Sequence, residues 1–379
     1  MKKDRFSLKD ELFNPLKVEK LANEIREVYP SFNHTDFREE VLAKFPSLEL
    51  KERIYHIREM LYCYLPKAYG EAIEIILKAL PPELDPTKSD DDFGDFIYAP
   101  YGEYVAKYGS SQEHLELSLF ALGEITKRFS MEYAIRQFIN NFPTETLAML
   151  YQLSTSPNYH QRRLVTEGLR PKLPWAKGLT IDYHEPLKHL NNLFSDPTRY
   201  VTRSVANHLN DIAKVDALLV IERLKQWKNS CKQNPKEMAF ILSHALRTLV
   251  KEGNAEALYL LGYASNPKIV VSRLILVERE VRIGEALLFG AVIEAKEEVN
   301  LMVDYLLYFR NRKGVLTPKV HKLKRLTMRK GEKIIVKKRH LFRANMRTRR
   351  LYVGEHKVAL QINGKGYDEV GFLLKSMTI

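Results

Sequence analysis

The stretch LYQLSTSPNYHQRRLVTEG, residues 150–168, recurs in outline 40 residues later as LNNLFSDPTRYVTRSVANH, residues 190–208. Leu150 matches Leu190, Leu153 matches Leu193, Pro157 matches Pro197, Arg163 matches Arg203 and Val165 matches Val205. At the next step of the same length Leu209 matches Leu249, with the proline slipped to Pro235. A period near 40 with two helices per unit is the signature of a HEAT-like solenoid. Each helical pair buries its apolar side against its neighbours and leaves a concave face for a ligand. On that offset Glu167 corresponds to Asn207, and Asn207 to Arg247, so the three are expected to line one surface.

Outward from this repeat, residues 1–262 read as helices. Apolar residues recur at three- and four-residue spacing, as in Val18, Leu21, Ala22 and Ile25, and again in Ala72, Ile73, Ile76 and Leu80. Pro81-Pro82 and Asp85-Pro86 break the pattern before a polar loop, Ser89 to Tyr101, with the run Asp90-Asp91-Asp92. That run has no spaced ligand set around it and reads as loop or capping residues. After Gly262-Tyr263-Ala264-Ser265-Asn266-Pro267 the period changes from 3.6 to 2. Val303, Tyr305, Leu307 and Phe309 alternate, as do Val358, Leu360 and Ile362 before an Asn363-Gly364 turn. The expected class is mainly α: a HEAT-like helical-repeat solenoid, residues 1–262, followed by a C-terminal Ig-like β-sandwich domain, residues 266–379.

The charge is one-sided. From Asn266 to Ile379 there are 25 Lys and Arg against 11 Asp and Glu, a local charge of +14; the whole chain carries +13, so the first 265 residues carry −1. Between Lys319 and Arg350 stand 14 Lys and Arg and a single acid, Glu332. Such clustering attracts a polyanion through long-range field and counterion release. It points to nucleic acid, and the charge alone fits RNA as well as DNA. Cys63 and Cys231 are the only cysteines, which gives no disulfide or zinc framework and fits a reduced, cytoplasmic protein. No signal-peptide core follows Met1, and the longest apolar stretch, Leu287 to Ile293, is too short to span a bilayer. No histidine pair stands at metal spacing, so no metal or organic cofactor is expected, and a monomer is the default expectation.

The densest chemistry lies between Ile125 and Trp175, in TKRFSMEYAIR (126–136) and SPNYHQRRLVTEGLRPKLPW (156–175). Arg163 and Glu167 are four apart on one helix and share a face. Arg162 sits beside that face, Arg170 follows the helix stop Gly168, and Trp175 follows Pro174 in a loop. The segment RRLVTEGLRPKLPW, with DPTRYVTRSVANHLNDIAK and SHALRTLVKEGNAEALYLLG, resembles the AlkC branch of DNA alkylation-repair glycosylases, HEAT-like proteins related to the AlkD branch. The resemblance covers nearly the whole chain, including DDDFGDFIYAPYGEYV near the start. RRLYVGEHKVALQING near the end resembles the Ig-like domain of the longer members. The family often has Phe at Tyr133, Pro at Gln137 and Ser at Thr166, and none of these departures removes a carboxylate.

The resemblance implies excision of 3-methyladenine, 3-methylcytosine and 1-methyladenine from duplex DNA, with the DNA gripped around the lesion rather than the base held in a deep pocket. It implies that Glu132 and Glu167 are the active-site carboxylates, that Tyr133 and Trp175 lie near the lesion nucleotide, and that Arg163 contacts phosphate and active site. The residue types suit the reaction. An N3-alkylated purine is already cationic, so a general acid is hardly needed. A preplaced carboxylate stabilises the oxocarbenium ion, and a second orients water. The backbone contacts expected in the helical part are Arg162, Arg170, Arg203, Asn207, Arg247 and Lys251. In the strands they are Lys337, Lys338, Arg339, His340, Arg343, Arg347, Arg349 and Arg350, although strand alternation sends neighbours to opposite faces. The structural alternatives are plain: Glu167 as one half of an ion pair with Arg163 or Arg203, Trp175 as core, Asn210 and Asp211 as helix stitching. The alternative function is a non-catalytic HEAT-repeat binder of damaged or branched DNA. A protein-binding scaffold is disfavoured by the basic strands.

Overall fold

A computed structural model describes residues 7–90, 92–344, 346 and 349–377. Contacts divide the chain into two units: residues up to Val215 with Gln226–Ala245, and Asp216–Lys225 with everything from Leu246 onward. The division therefore falls inside the helical part and not at the onset of the strands.

In the first unit the repeat sets the order of packing. Helix Tyr159–Gly168 packs on helix Arg199–Ile212, which packs on helix Pro235–Ala245. Their inner faces are apolar, with Leu164, Val165, Val201, Val205, Leu209 and Ile241 fully buried. The helices are stitched by polar contacts from one repeat to the next. Thr166 Oγ1 lies 3.1 Å from Ser204 Oγ, and the His208 ring nitrogen Nδ1 lies 3.1 Å from the Thr166 carbonyl. A Cβ at Gly168 would stand 2.7 Å from Ile135, so glycine lets the end of its helix approach helix Ile135–Asn141. Among the described residues no helix is long and apolar enough to cross a membrane.

The second unit carries ten strands among its described residues: β1 (Ile269–Val271), β2 (Ile275–Leu276), β3 (Glu280–Arg282), β4 (Ala286–Ala295), β5 (Val299–Arg310), β6 (Leu316–Met328), β7 (Lys333–Leu341), β8 (Gly354–Ile362), β9 (Lys365–Gly366) and β10 (Val370–Lys375). One sheet has β1 and β2 along one edge of β4 and β7 along the other. The second runs β3-β10-β8-β5-β6, with β9 paired to β8. All pairings are antiparallel except β3 with β10. Alternate residues of β4 and β5, such as Leu287, Phe289, Ile293, Val303 and Leu307, fill the space between the sheets, as period-2 patterning requires.

Several buried or half-buried histidines tie this fold to pH. Burial pushes the His208 ring down to about 3, against the pull of the Thr166 carbonyl. Between the sheets, burial and neighbouring positive charge hold His321 and His340 at about 4. The unfolded chain protonates such rings at about pH 6.5, the folded chain only near 4 or below. Their contribution is therefore complete above about pH 6.5 and lost as the pH falls through the folded values. Thermal melts are expected to give a lower Tm at about pH 5 than at about pH 7. An equal Tm at both would show that these rings are not held neutral by the fold.

Candidate active site

The site lies wholly in the first unit. Its two carboxylates come from different elements. Glu132 follows Met131 and precedes Ala134; both neighbours are buried, which anchors the segment and turns Glu132 and Tyr133 outward. Glu167 comes from the last turn of helix Tyr159–Gly168 and is only 4% exposed. Arg163, one turn earlier on that helix, bridges them. Its Nη1 donates to Glu132 Oε2 at 2.8 Å and to Ser130 Oγ at 2.9 Å, while Nη2 stands 3.6 Å from Glu167 Oε1. Ser130 in turn donates to Glu132 at 2.8 Å. Burial works against the charge on Arg163, but Glu132 and Glu167 more than offset it and raise its pKa. The Arg163 guanidinium also lies over the Tyr200 ring, 4.3 Å from its centroid.

Behind Glu167 stands a second pair. Arg170 donates to Glu167 Oε2 at 3.0 Å and, through Nε and Nη2, to Asp211 Oδ2 at 3.0 and 2.9 Å. Lys214 closes the chain on Asp211 at 3.0 Å. Glu167 is thus held from two sides by guanidinium groups. The structural and chemical readings of Glu167 do not compete here, because the pairing is what orients the carboxylate.

Aromatic groups form the rim. Trp175 is 75% exposed and sits at φ +64°, a left-handed backbone that bulky residues rarely adopt. Its loop is pinned from below. Lys51 Nζ donates to the Trp175 carbonyl at 2.6 Å, and Arg136 donates to the carbonyls of Gly168, Arg170 and Lys177. The Tyr133 hydroxyl donates to the Pro174 carbonyl at 3.3 Å, and burial, with help from both glutamates, pushes its pKa up to about 12. Phe93 reaches the same rim from the acidic loop. A bridge between Gly94 and Phe129 holds that loop; Gly94 has φ +75°, and a Cβ there would strike the Arg128 carbonyl at 1.9 Å. Together Glu132, Tyr133, Arg163, Glu167, Trp175 and Tyr200 line one open groove, and Arg203 and Asn207 continue it.

Some expected contacts stand elsewhere. Arg162 is taken up inside the fold: it donates to Asp196 at 2.5 and 3.2 Å and to the Ser156 and Pro157 carbonyls. These bonds hold it against the turn that starts the next repeat. Arg170 lines the groove while paired with Glu167 and Asp211. Glu167 and Asn207 each stand eight residues after the start of their helices and do share the groove. In the next helix, which begins at Pro235, that position is Ser243; Arg247 falls past its end, in helix Arg247–Lys251 of the second unit. Arg203 stands in the groove paired with Asp90. Asp91 and Arg347 lie outside the described residues. In β7 the alternation separates the basic run. Lys337 and Arg339 are exposed on the outer face, whereas Lys338 faces inward toward Tyr305 and His340 is half-buried, its Nδ1 2.9 Å from the Tyr305 hydroxyl. Arg343 and Arg350 are exposed, and Arg349 covers Phe309 at 4.1 Å.

Ser130, Tyr200, Phe93, Lys51 and the Arg170–Asp211 pair were not singled out for the site from sequence. Tyr200 and Phe93 lie within the motifs that carry the resemblance, which is the signal that marks them. Lys51 has none.

A family model described as the C-terminal Ig-like domain of the uncharacterised protein YhaZ matches residues 270–376. The uncharacterized protein YhaZ of Bacillus subtilis strain 168 is 32% identical over 366 residues, covering 96% of this chain and 98% of its own. The solved structure of Pseudomonas fluorescens alkylpurine DNA glycosylase AlkC, bound to DNA containing an abasic site analog, matches with a TM-score of 0.86 at 29% identity, over 98% of this chain and 100% of that one. The chain belongs to the AlkC family, in its long, YhaZ-like form. Its fold is that of the family: a HEAT-like helical part followed by an Ig-like domain.

Proposed function

We propose that this AlkC-family chain is a monofunctional DNA glycosylase that excises cationic alkylated bases, 3-methyladenine, 3-methylcytosine and 1-methyladenine, from duplex DNA. The observation that carries this is the pair of carboxylates, Glu132 and Glu167, held by one buried guanidinium in an open groove. The likeness to a solved alkylpurine DNA glycosylase supports the same reading.

In this reading the N–C1′ bond breaks and its electron pair stays with the base, which leaves neutral. Glu167 faces the oxocarbenium ion that remains. Glu132 Oε1, which makes no hydrogen bond among the described residues, accepts from the water that adds to C1′. Tyr133 and Trp175 cover the lesion nucleotide. Arg203 and Asn207 in the groove, with Arg247 and Lys251 in the second unit, approach the DNA backbone. The basic Ig-like domain adds phosphate contacts through Lys337, Arg339, Arg343 and Arg350. The enzyme acts as a monomer. A pure binder of damaged or branched DNA gains nothing from two carboxylates facing a polyanion.

The test is release of free methylated base from duplex DNA carrying 3-methyladenine or 3-methylcytosine, with an abasic site left behind. Binding without release would instead favour the binder. Trapping of a covalent protein–DNA adduct by borohydride would contradict monofunctional chemistry. For the Ig-like domain, the double variant Lys337→Glu, Arg339→Glu is expected to weaken binding and flatten the plot of log affinity against log salt by about two units of slope. An unchanged slope would remove that face from the DNA.

A further inference from the structure

Beside the wall that carries Glu132 the first unit has a second space, a partly open cavity of about 320 Å³. It lies between helix Leu50–Tyr64, helix Ala99–Tyr108 and the segment around Glu132. Its size and mostly apolar lining are those of a small-molecule site. Glu132, Tyr133 and Trp175 line both this cavity and the groove, so the two adjoin across a single layer of side chains.

The lining is suited to a flat heteroaromatic ring. Tyr55, Phe93 and Phe96 present aromatic surface. One polar group stands among them without a hydrogen bond among the described residues: the Glu103 carboxyl, whose nearest cation is Arg58 at 3.9 Å. Burial raises its pKa, partly opposed by Arg58, Lys177 and Lys51. Its carboxyl oxygens can accept from the exocyclic amino group on the edge of an adenine-type base. Lys51 and Lys177 also line the space. They would repel a base still attached and cationic, but not the freed base, which is neutral.

We propose that this cavity receives the methylated nucleobase after excision, stacked among Tyr55, Phe93 and Phe96 and hydrogen-bonded to Glu103, and that free base is a product inhibitor. This rests on the glycosylase reading above. The test is equilibrium dialysis of the full chain, without DNA, against 3-methyladenine, with adenine as comparator. Ala106→Phe fills the cavity from helix Ala99–Tyr108, and Glu103→Gln alters its one unbonded polar group. Saturable binding of 3-methyladenine by the wild type is expected, about tenfold weaker in each variant. Free 3-methyladenine is expected to slow multiple-turnover excision by the wild type, while single-turnover rates of the variants stay within about twofold.

No binding by the wild type overturns the proposal, as does equal binding by a folded Ala106→Phe. If that variant does not fold, equal binding by Glu103→Gln overturns it. A collapse of single-turnover excision in folded Ala106→Phe also overturns it, since the attached base would then be using the space. Binding without any excision by the wild type would sink the glycosylase reading and the product role with it, leaving a nucleobase site only.

Discussion

Glu167→Gln is expected to bind alkylated DNA as tightly as the wild type, or slightly tighter, and to release base about 100- to 1,000-fold more slowly in single turnover. The reasoning is electrostatic. Glu167 is almost fully buried and is oriented by Arg163 and Arg170, so in the proposed reaction it would meet a developing cation without reorganising. Glutamine keeps the shape and the hydrogen-bonding oxygen. Arg170 retains Asp211 at 2.9 Å, so the local fold should survive. One negative charge facing a polyanion disappears, which is why binding should not suffer. A variant as fast as the wild type would reduce Glu167 to a structural ion-pair partner.

The second large effect is expected at Arg163. Its side chain is buried and lies between two carboxylates, so Arg163→Leu leaves Glu132 and Glu167 with their bridging cation gone. Breaking a buried pair by removing one partner costs about 3–5 kcal/mol, which in a chain of this size lowers Tm on the order of ten degrees. Excision should be lost as well, because the carboxylates are no longer held. Arg163→Lys is expected to recover little: a point charge cannot reach Glu132, Ser130 and Glu167 together, nor lie flat on Tyr200. The discriminating measurement is a double-mutant cycle. Adding Glu132→Gln to Arg163→Leu should restore part of the stability, since one uncompensated charge goes with it. Strictly additive losses would mean that the bridge carries no coupling.

The helical repeat, the onset of the strands and the placing of Glu167 with Asn207 on one face were all legible, because they follow from spacing along the chain, within an element or from one repeat to the next. The third member, Arg247, was not. The slipped Pro235 moves the next helix four residues earlier, so a fixed offset overshoots it. The basic run of β7 was legible as charge but not as surface. Lys337 and His340 differ by an odd number of residues and point to opposite sides of the sheet, and which side is core depends on β4 and β5, far away in sequence.

By itself, then, the sequence determined the two classes of secondary structure, the repeat that stacks the helices, the one-sided positive charge, and the set of motifs that marks the AlkC family. All of these are properties of neighbours along the chain or of composition. The partners were decided only in three dimensions. Arg162 and Arg163 are adjacent and chemically identical, yet one is locked on Asp196 while the other joins Glu132 to Glu167. The physical reason is helix geometry. Successive residues point about 100° apart, so each of the two arginines meets whatever a distant segment brings to its own side.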